Sequence, residues 1–193
     1  MTPTLLVTGF GPFPGVPVNP TGPLVARLAR VRLGRAKVVT YVFPTAYAAV
    51  DRDLPKLIAR YRPDALLMFG LATKASTLRI ETRARNALSR LADAGGIVPR
   101  MGQIAPGRLP WLALPSPYRA LLAAARATRV PVALSSDAGD YLCNYLCWQA
   151  TQATRRPGGP HLTAFVHVPL GKNGVDLARA GCALLKAMAA VFH

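Results

Sequence analysis

Acidic residues are scarce in this chain of 193 residues. Eight Asp and Glu stand against 24 Lys and Arg, which gives a formal net charge of +16 at pH 7. A field of that sign attracts nucleic acids and other anions without specificity. The arginines are scattered along the chain, however, and lack interleaved aromatic residues of the kind that stack on bases. We therefore expect no specific nucleic-acid partner, and the charge alone indicates no function.

Long apolar runs and paired cysteines are also missing. No stretch approaches the roughly 18 unbroken apolar residues that a membrane helix needs, and the N-terminus shows no basic segment followed by an apolar one. We expect neither a membrane span nor a signal peptide. Three cysteines, an odd number, build no disulfide framework and are typical of a reducing compartment. The sequence predicts a cytoplasmic protein in which residues 1–193 form a single domain.

Short apolar segments alternate with segments of helical periodicity, which favours an α/β fold. Strands separated by helices of this length form a mostly parallel or mixed sheet covered on both faces, so we expect a three-layer α/β/α sandwich. The predicted strands are 4–8, 37–43, 65–70, 78–82, 130–135 and 162–168. The predicted helices are 24–30, 45–60 with a kink or break at Pro55, 118–128, a helix to 154 capped by Asp140, and one to 191 capped by Asp176; residues 93–115 are predicted to form an extended loop.

The cysteines are the best candidates for a nucleophile, because the chain has no G-x-S-x-G elbow. Cys147 and Cys182 fall among apolar residues within predicted helices and are expected in the core. Cys143 follows Asp140 by three residues and lies in the first turn of its helix. The free N–H groups and the dipole at such a position favour a thiolate and can hold a developing oxyanion. A purely structural, buried Cys143 is the alternative.

Only three histidines are available as a base. His193 ends the chain and His161 lies in a turn that enters a strand, whereas His167 lies near the carboxyl end of a predicted strand. Ligands of α/β sheets bind at that edge, where helices that follow parallel strands also begin. We therefore expect His167 to share this edge with Cys143 and to act as its base.

The acid that would orient the base is not decided by these arguments. Asp137 and Asp140 are close to Cys143 in the sequence but can also serve as cap or turn residues. Glu81, the only glutamate, lies at the end of a predicted strand. All three remain candidates.

The loop after the first predicted strand carries two aromatic residues. Phe10 and Phe13 lie in a Gly- and Pro-rich segment that lacks the G-x-G-x-x-G pattern, and Pro12 and Pro14 have no N–H to offer a phosphate. The two rings either line an apolar pocket or belong to the core. Cys143 and Cys147 have no second ligand pair, so we expect no metal.

Taken together, these segments resemble the pyroglutamyl-peptidase I family, cysteine peptidases that remove N-terminal pyroglutamate. The similar motifs occur in the family's order and span nearly the whole chain: residues 5–15 (LLVTGFGPFPG), 19–21 (NPT), 69–72 (FGLA), 80–86 (IETRARN), 136–144 (SDAGDYLCN) and 165–169 (FVHVP).

The resemblance implies a catalytic triad of Glu81, Cys143 and His167, and so selects one of the three acids. It also implies that Phe10 and Phe13 flank the pyrrolidone ring and that Arg90 lies near the active site. The implied fold is an α/β/α sandwich without metal or organic cofactor. The implied partners are peptides with N-terminal pyroglutamate and further copies of the chain, because many bacterial members form tetramers.

Several positions depart from the family's pattern. A Gly-Arg pair common before the glutamate motif is replaced by residues 73–75 (TKA), Thr82 stands where the motif has arginine, and residues 91–93 read LAD instead of IPD. The tail after Val168 is also short. These departures leave a thiol amidase with another blocked-amide substrate as one alternative. The net charge of +16 leaves an inactive, basic nucleic-acid-associated relative as the other.

Overall fold

A computed structural model describes residues 2–171 and 173–192 of the chain. The strands are β1 (Thr4–Phe10), β2 (Lys37–Phe43), β3 (Ala65–Ala72), β4 (Leu78–Glu81), β5 (Arg83–Arg85), β6 (Trp111–Ala113), β7 (Val132–Ser135) and β8 (Leu162–Pro169). The helices are α1 (Thr21–Leu28), α2 (Tyr47–Tyr61), α3 (Tyr118–Ala127), α4 (Leu142–Ala153) and α5 (Gly174–Ala189), followed by a 3₁₀ turn at Ala190–Phe192.

Six strands form one mixed sheet in the order β2-β1-β3-β8-β4-β7. The first four are parallel. β4 pairs antiparallel with β8, and β7 pairs parallel with β4, so both run against the other four. β7 begins two residues later than predicted, after Pro131, whose carbonyl accepts a hydrogen bond from the Leu78 N–H.

Alternating burial along the strands produces two hydrophobic layers, one on each face of the sheet. Leu5, Val7 and Leu67 pack on one face with residues of α1, α3 and α5. Leu6 and Met68 pack on the opposite face with residues of α2 and α4. Since side chains of a strand alternate between the faces, each parallel strand supplies both layers. The predicted α/β/α sandwich is confirmed.

The caps of two helices differ from the prediction. The residue before α4 is Tyr141, in an extended conformation and without a side-chain cap, so Asp140 does not cap the helix. The cap of α5 is Asn173, whose side chain accepts a hydrogen bond from the Val175 N–H, and Asp176 lies within the first turn. An amide or carboxylate one residue outside the helix reaches the free N–H groups better than one already in helical conformation.

Pro55 does not divide α2, which is continuous from Tyr47 to Tyr61. Proline removes one backbone hydrogen bond from a helix interior, but Leu54 and Leu57 on either side of it are buried in the core. Burial of these side chains offsets the missing bond.

Part of the predicted loop 93–115 forms a strand, which corrects the prediction. β6 pairs antiparallel with β5, with Arg85 opposite Trp111, and only its central residue Leu112 is buried. A three-residue strand with one inward side chain has too little periodicity to be recognised in a sequence. None of the helices in the described ranges combines the length and apolar character needed to cross a bilayer.

Candidate active site

The sheet opens between β1 and β3 at the carboxyl ends of the parallel strands. Pairing of β1 with β3 stops at Thr8 and Met68, whereas β1 stays paired with β2 as far as Phe10 and β3 with β8 as far as Ala72. This is the point where the strand order reverses, the usual place of ligand sites in such sheets. It forms a cleft of about 40 Å³ lined by Phe10, Phe13, Asn19, Thr45, Leu71, Tyr141, Leu142 and Cys143.

A buried pair of ionisable side chains lies beside this cleft. The register of β4 against β8 sets Glu81 opposite Phe165, so that His167, two residues further along β8, is its diagonal neighbour on the same face. Glu81 Oε1 lies 2.8 Å from His167 Nδ1, and both residues are buried. Glu81 can therefore hold the imidazole in one orientation and tautomer.

The surroundings of His167 favour its charged form. Burial lowers its pKa, but interactions with the side chains of Cys143 and Glu81 outweigh burial and raise the pKa to about 9. An imidazolium between a carboxylate and a cysteine is thus the stable state near neutral pH.

Cys143 lies over Gly70 of β3, next to His167. Gly70 is paired with His167 in the β3–β8 register, and a Cβ atom added at Gly70 would approach the Cys143 Sγ to 2.6 Å. Cys143 is the second residue of α4, where backbone N–H groups have no partner within the helix. The structure therefore brings Glu81, His167 and Cys143 together, with free N–H donors next to the sulfur.

Gly70 is a residue that sequence reasoning missed, and it supports a stability prediction. A Cβ at this position would also lie 2.6 Å from Phe165 Cζ, so Gly70→Ala must displace a core ring or the cysteine. We expect a loss of about 1–3 kcal/mol in the free energy of unfolding, measured by urea denaturation. Gly102→Ala, which adds a methyl group to open space, is the control. Equal stability of both variants would contradict this close packing.

The other sequence candidates lie elsewhere. Asp137 is exposed and binds Arg85 at 3.2 Å, and Asp140 is also exposed, so neither replaces Glu81 beside His167. Burial raises the pKa of the Cys147 thiol well above its ordinary value, which disfavours a thiolate there. His161 is exposed. His193 lies outside the described residues.

Phe10 and Phe13, which are predicted to flank the pyrrolidone ring, differ in how deeply they are buried. Phe10 is buried and tilted against Phe43, at a centroid distance of 6.0 Å, while Phe13 is only partly buried and packs near Tyr141 at 6.5 Å. Both line the cleft. Arg90 is exposed on the loop after β5, and its contact with substrate stays a prediction.

Asn144 is a further residue that sequence reasoning missed. It is fully buried, its Oδ1 accepts from the Arg85 N–H at 2.7 Å, and its Nδ2 donates to the carbonyls of Arg85 and Ala87 at 2.8 and 3.1 Å. These three bonds fasten the end of β5 to the first turn of α4. The signals in the sequence are that Asn144 directly follows Cys143 and is the last residue of the family-like motif 136–144.

Asp93 fixes the long loop against the wall of the cleft. Its buried carboxylate accepts from the N–H groups of Tyr47, Gly95 and Ile97 at 2.9–3.1 Å. The neighbouring Ala94 N–H donates to the carbonyl of Thr45, which lines the cleft. The loop and the start of α2 therefore form one hydrogen-bonded unit.

A cavity larger than this cleft lies elsewhere in the structure. It measures about 390 Å³, lies between α2 and α4 against Leu54 and Ile58, and contains neither Cys143 nor His167. We assign the chemistry to the smaller cleft because the nucleophile candidate opens into it. Within the described ranges no three His, Cys, Asp or Glu side chains come close enough together to hold a metal ion.

Known proteins resemble the chain over most of its length. The Pyroglutamyl peptidase family matches residues 3–183. A Pyrrolidone-carboxylate peptidase of Pyrococcus furiosus is 31% identical over 166 residues, 86% of this chain and 80% of that protein. Pyrrolidone-carboxylate peptidase 1 of Ralstonia nicotianae is 33% identical over 168 residues, covering 86% and 78%. The solved pyrrolidone carboxyl peptidase of Thermococcus litoralis superposes with a TM-score of 0.91 at 26% identity, over 99% of this chain and 95% of that one. The chain belongs to the pyroglutamyl peptidase family of cysteine peptidases.

Proposed function

We propose that this protein hydrolyses the amide bond after an N-terminal pyroglutamate, with Cys143 as nucleophile, His167 as acid and base, and Glu81 as the residue that orients His167. The observation that carries the proposal is the buried 2.8 Å contact between Glu81 and His167, beside a cysteine in the first turn of α4 that opens into a cleft. Family membership supplies the substrate class.

Acylation would begin from the thiolate–imidazolium pair. The Cys143 thiolate attacks the carbonyl carbon of pyroglutamate, and the free N–H groups at the start of α4 stabilise the oxyanion. The C–N bond then breaks while His167 Nε2 gives its proton to the departing amine. Glu81 stays ionised and keeps the Nδ1 proton in place, so that Nε2 faces the reacting atoms.

Deacylation would use the same groups in reverse roles. After the amine leaves, neutral His167 takes a proton from water, and the resulting hydroxide oxygen attacks the thioester carbon. Collapse of the second tetrahedral intermediate expels the Cys143 thiolate and releases pyroglutamate. The imidazolium is thereby restored, and no proton is gained or lost by the enzyme over the cycle.

The cleft suits a ring without a charged amine. None of its lining residues is acidic, and the rings of Phe10 and Phe13 form apolar walls. Among the described residues, β3 pairs with no strand on its β1 side beyond Met68, so backbone groups near Leu71 are available to a lactam. A free N-terminal ammonium would find no carboxylate on these walls, and its desolvation would be costly.

A substrate comparison tests the proposal. Pyroglutamyl p-nitroanilide should be hydrolysed with a kcat/KM at least about 10³-fold higher than prolyl p-nitroanilide, which keeps the five-membered ring but replaces the lactam by a charged amine. N-acetylprolyl p-nitroanilide, blocked but without the lactam, is the second comparison. Failure to prefer the pyroglutamyl compound would end the proposal, and preference for the acetylated one would favour the thiol amidase alternative.

The raised pKa of His167 predicts the alkaline limit of activity. The imidazolium, which protonates the amine, predominates below its pKa of about 9 and is lost as the pH rises through that value. We expect kcat/KM on the pyroglutamyl substrate to stay near its maximum through pH 8 and to fall about tenfold per pH unit well above pH 9. Circular dichroism at each pH checks that the fold persists. An alkaline limb near 6.5, the ordinary value for histidine, would contradict the charged pair.

A further inference from the structure

A group of buried polar atoms lies behind the Glu81–His167 pair. Glu81 Oε2, Thr151 Oγ1, Thr163 Oγ1 and Ser116 Oγ have no hydrogen-bond partner within the described part of the chain. Glu81, Thr151 and Thr163 are each at most 1% exposed to solvent. Native proteins pair nearly all such groups, so four of them in one region require an explanation.

The sheet places three of these residues side by side. Side chains along β8 alternate between the two faces of the sheet. Ala164 and Val166 belong to one hydrophobic layer and Phe165 to the other. Thr163 and His167 therefore lie on the same face as Phe165. Glu81 lies opposite Phe165 and is therefore flanked by His167 on one side and Thr163 on the other. The Thr163 N–H donates to the carbonyl of Pro115, which brings the adjacent Ser116 to the same place.

Helix α4 packs on the same face of the sheet and covers Glu81 and Thr163. Cys143, Cys147 and Thr151 follow one another at four-residue intervals and lie along one side of the helix. Besides burial, the charges of Cys143 and Glu81 raise the pKa of Cys147, as expected if Cys147 lies between them and Thr151 one turn beyond. We call Glu81, Ser116, Thr151 and Thr163 the polar seam.

We infer that the polar seam binds internal water that donates a hydrogen bond to Glu81 Oε2, and that Thr163 and Thr151 are positioning residues because they hold this water. Buried water commonly makes about three hydrogen bonds to polar groups that lack protein partners. A carboxylate oxygen only accepts, whereas a threonine hydroxyl both donates and accepts. Water between the carboxylate and the hydroxyls can hydrogen-bond to both kinds of group. The apolar neighbour Phe165 can bond to neither.

The inference rests on the proposed function, because its consequence for the reaction passes through Glu81. Each turnover forms neutral His167, which leaves the Glu81 carboxylate buried without a cationic partner. Water at Oε2 would stabilise the carboxylate at that stage. The other titratable or charged groups near Glu81 are Cys143 and Cys147 on α4 and Arg79, two residues before Glu81 on β4. Tyr118 on α3 donates its hydroxyl to the carbonyl of Thr82, the residue after Glu81.

Thr163→Val, which keeps the shape of the side chain but removes the hydroxyl, tests the inference. Without its water, the buried Glu81 carboxylate depends more on the charged imidazole beside it, so His167 keeps its proton to higher pH. The alkaline limb of the pH profile of kcat/KM should therefore move to higher pH by roughly half a unit, with kcat about tenfold lower. Thr163→Ser restores the hydroxyl and should restore the wild-type profile.

Thr8→Val is the matched control. The Thr8 hydroxyl is equally buried and unpartnered within the described residues, but it lies on β1, two strands away from β8. Thr8→Val should leave the alkaline limb of the profile where it is in the wild type. An unshifted profile for Thr163→Val, or an equal shift for Thr8→Val, would overturn the inference.

Two readouts separate this inference from the proposed function. The pH dependence of alkylation of Cys143 by iodoacetamide reports the same ionisations without any substrate, so it tests the polar seam even if pyroglutamyl amides are not hydrolysed. A crystal structure should show ordered water about 3 Å from both Glu81 Oε2 and Thr163 Oγ1. A protein donor, such as the Cys147 thiol, bonded directly to Glu81 Oε2 would overturn the inference.

Discussion

Replacement of Cys143 by alanine is expected to reduce kcat/KM on pyroglutamyl p-nitroanilide by about 10⁴- to 10⁶-fold. The variant keeps the cleft, the N–H groups at the start of α4 and the pair formed by Glu81 and His167, but it has no nucleophile. Only catalysis by water held in the cleft would remain, and oxyanion stabilisation alone accounts for little of the rate. Steady-state hydrolysis, followed by release of p-nitroaniline, measures the loss.

Cys182→Ala is the control for this experiment. Cys182 lies on α5, is partly buried and packs against the hydrophobic layer of α1, α3 and α5, on the face of the sheet opposite to Cys143. Its removal should leave kcat/KM within about twofold of the wild-type value, and iodoacetamide should inactivate this variant as it does the wild type. Turnover by Cys143→Ala at a rate similar to that of the wild type would exclude the covalent mechanism.

The sequence predicts that Cys143 and His167 lie close together, and they do, but the strand direction on which that prediction depended is different in the structure. The prediction assumed that the strand before α4 runs parallel to the strand of His167. β7 in fact runs antiparallel to β8, so the segment 136–141 must carry the chain back to the carboxyl edge before α4 begins. Strand direction depends on which strands become neighbours, and hydrophobic periodicity contains no information about that.

The choice of Glu81 over Asp137 and Asp140 shows a similar limit. From the residues alone the three acids were equivalent, and the resemblance to the family selected Glu81. The physical reason lies in the antiparallel register of β4 against β8, which sets Glu81 diagonal to His167. Two aspartates nearer to Cys143 in the sequence are held at the surface instead. Distance along the chain was the wrong guide because the sheet joins residues 86 positions apart.

Elements with strong local signals were predicted best. Each of the four parallel strands contains a run of at least three apolar residues, and residues 37–43 agree with β2 at both ends. Gly70 and Asn144 had no such signal, because their importance comes from what other elements bring to them. Gly70 is necessary because the sulfur of Cys143 on α4 lies directly over it. Asn144 is explained by its hydrogen bonds to the backbone of Arg85, at the end of β5.

Glu81→Gln is expected to lower kcat by about 10³- to 10⁴-fold while the fold is retained. Glutamine has the size of glutamate, but its amide group can donate to Nδ1 and so hold the imidazole in the wrong tautomer. The substitution also removes one of the two charges that raise the pKa of His167. The alkaline limb of the remaining activity should therefore move from about pH 9 towards lower pH.

Asp137→Asn and Asp140→Asn are the matched controls, since each neutralises an acid that lies closer to Cys143 in the sequence but is exposed. Because exposed charges are screened by solvent, both variants should keep kcat within about threefold of the wild type and leave the alkaline limb in place. The comparison of the three variants is more informative than the kcat of any one of them. Loss of activity together with a lower alkaline limb in Glu81→Gln alone identifies the carboxylate that acts through His167. An equal effect in Asp137→Asn or Asp140→Asn would mean that the long-range field of the protein, and not the buried contact with Glu81, sets the charge of the imidazole.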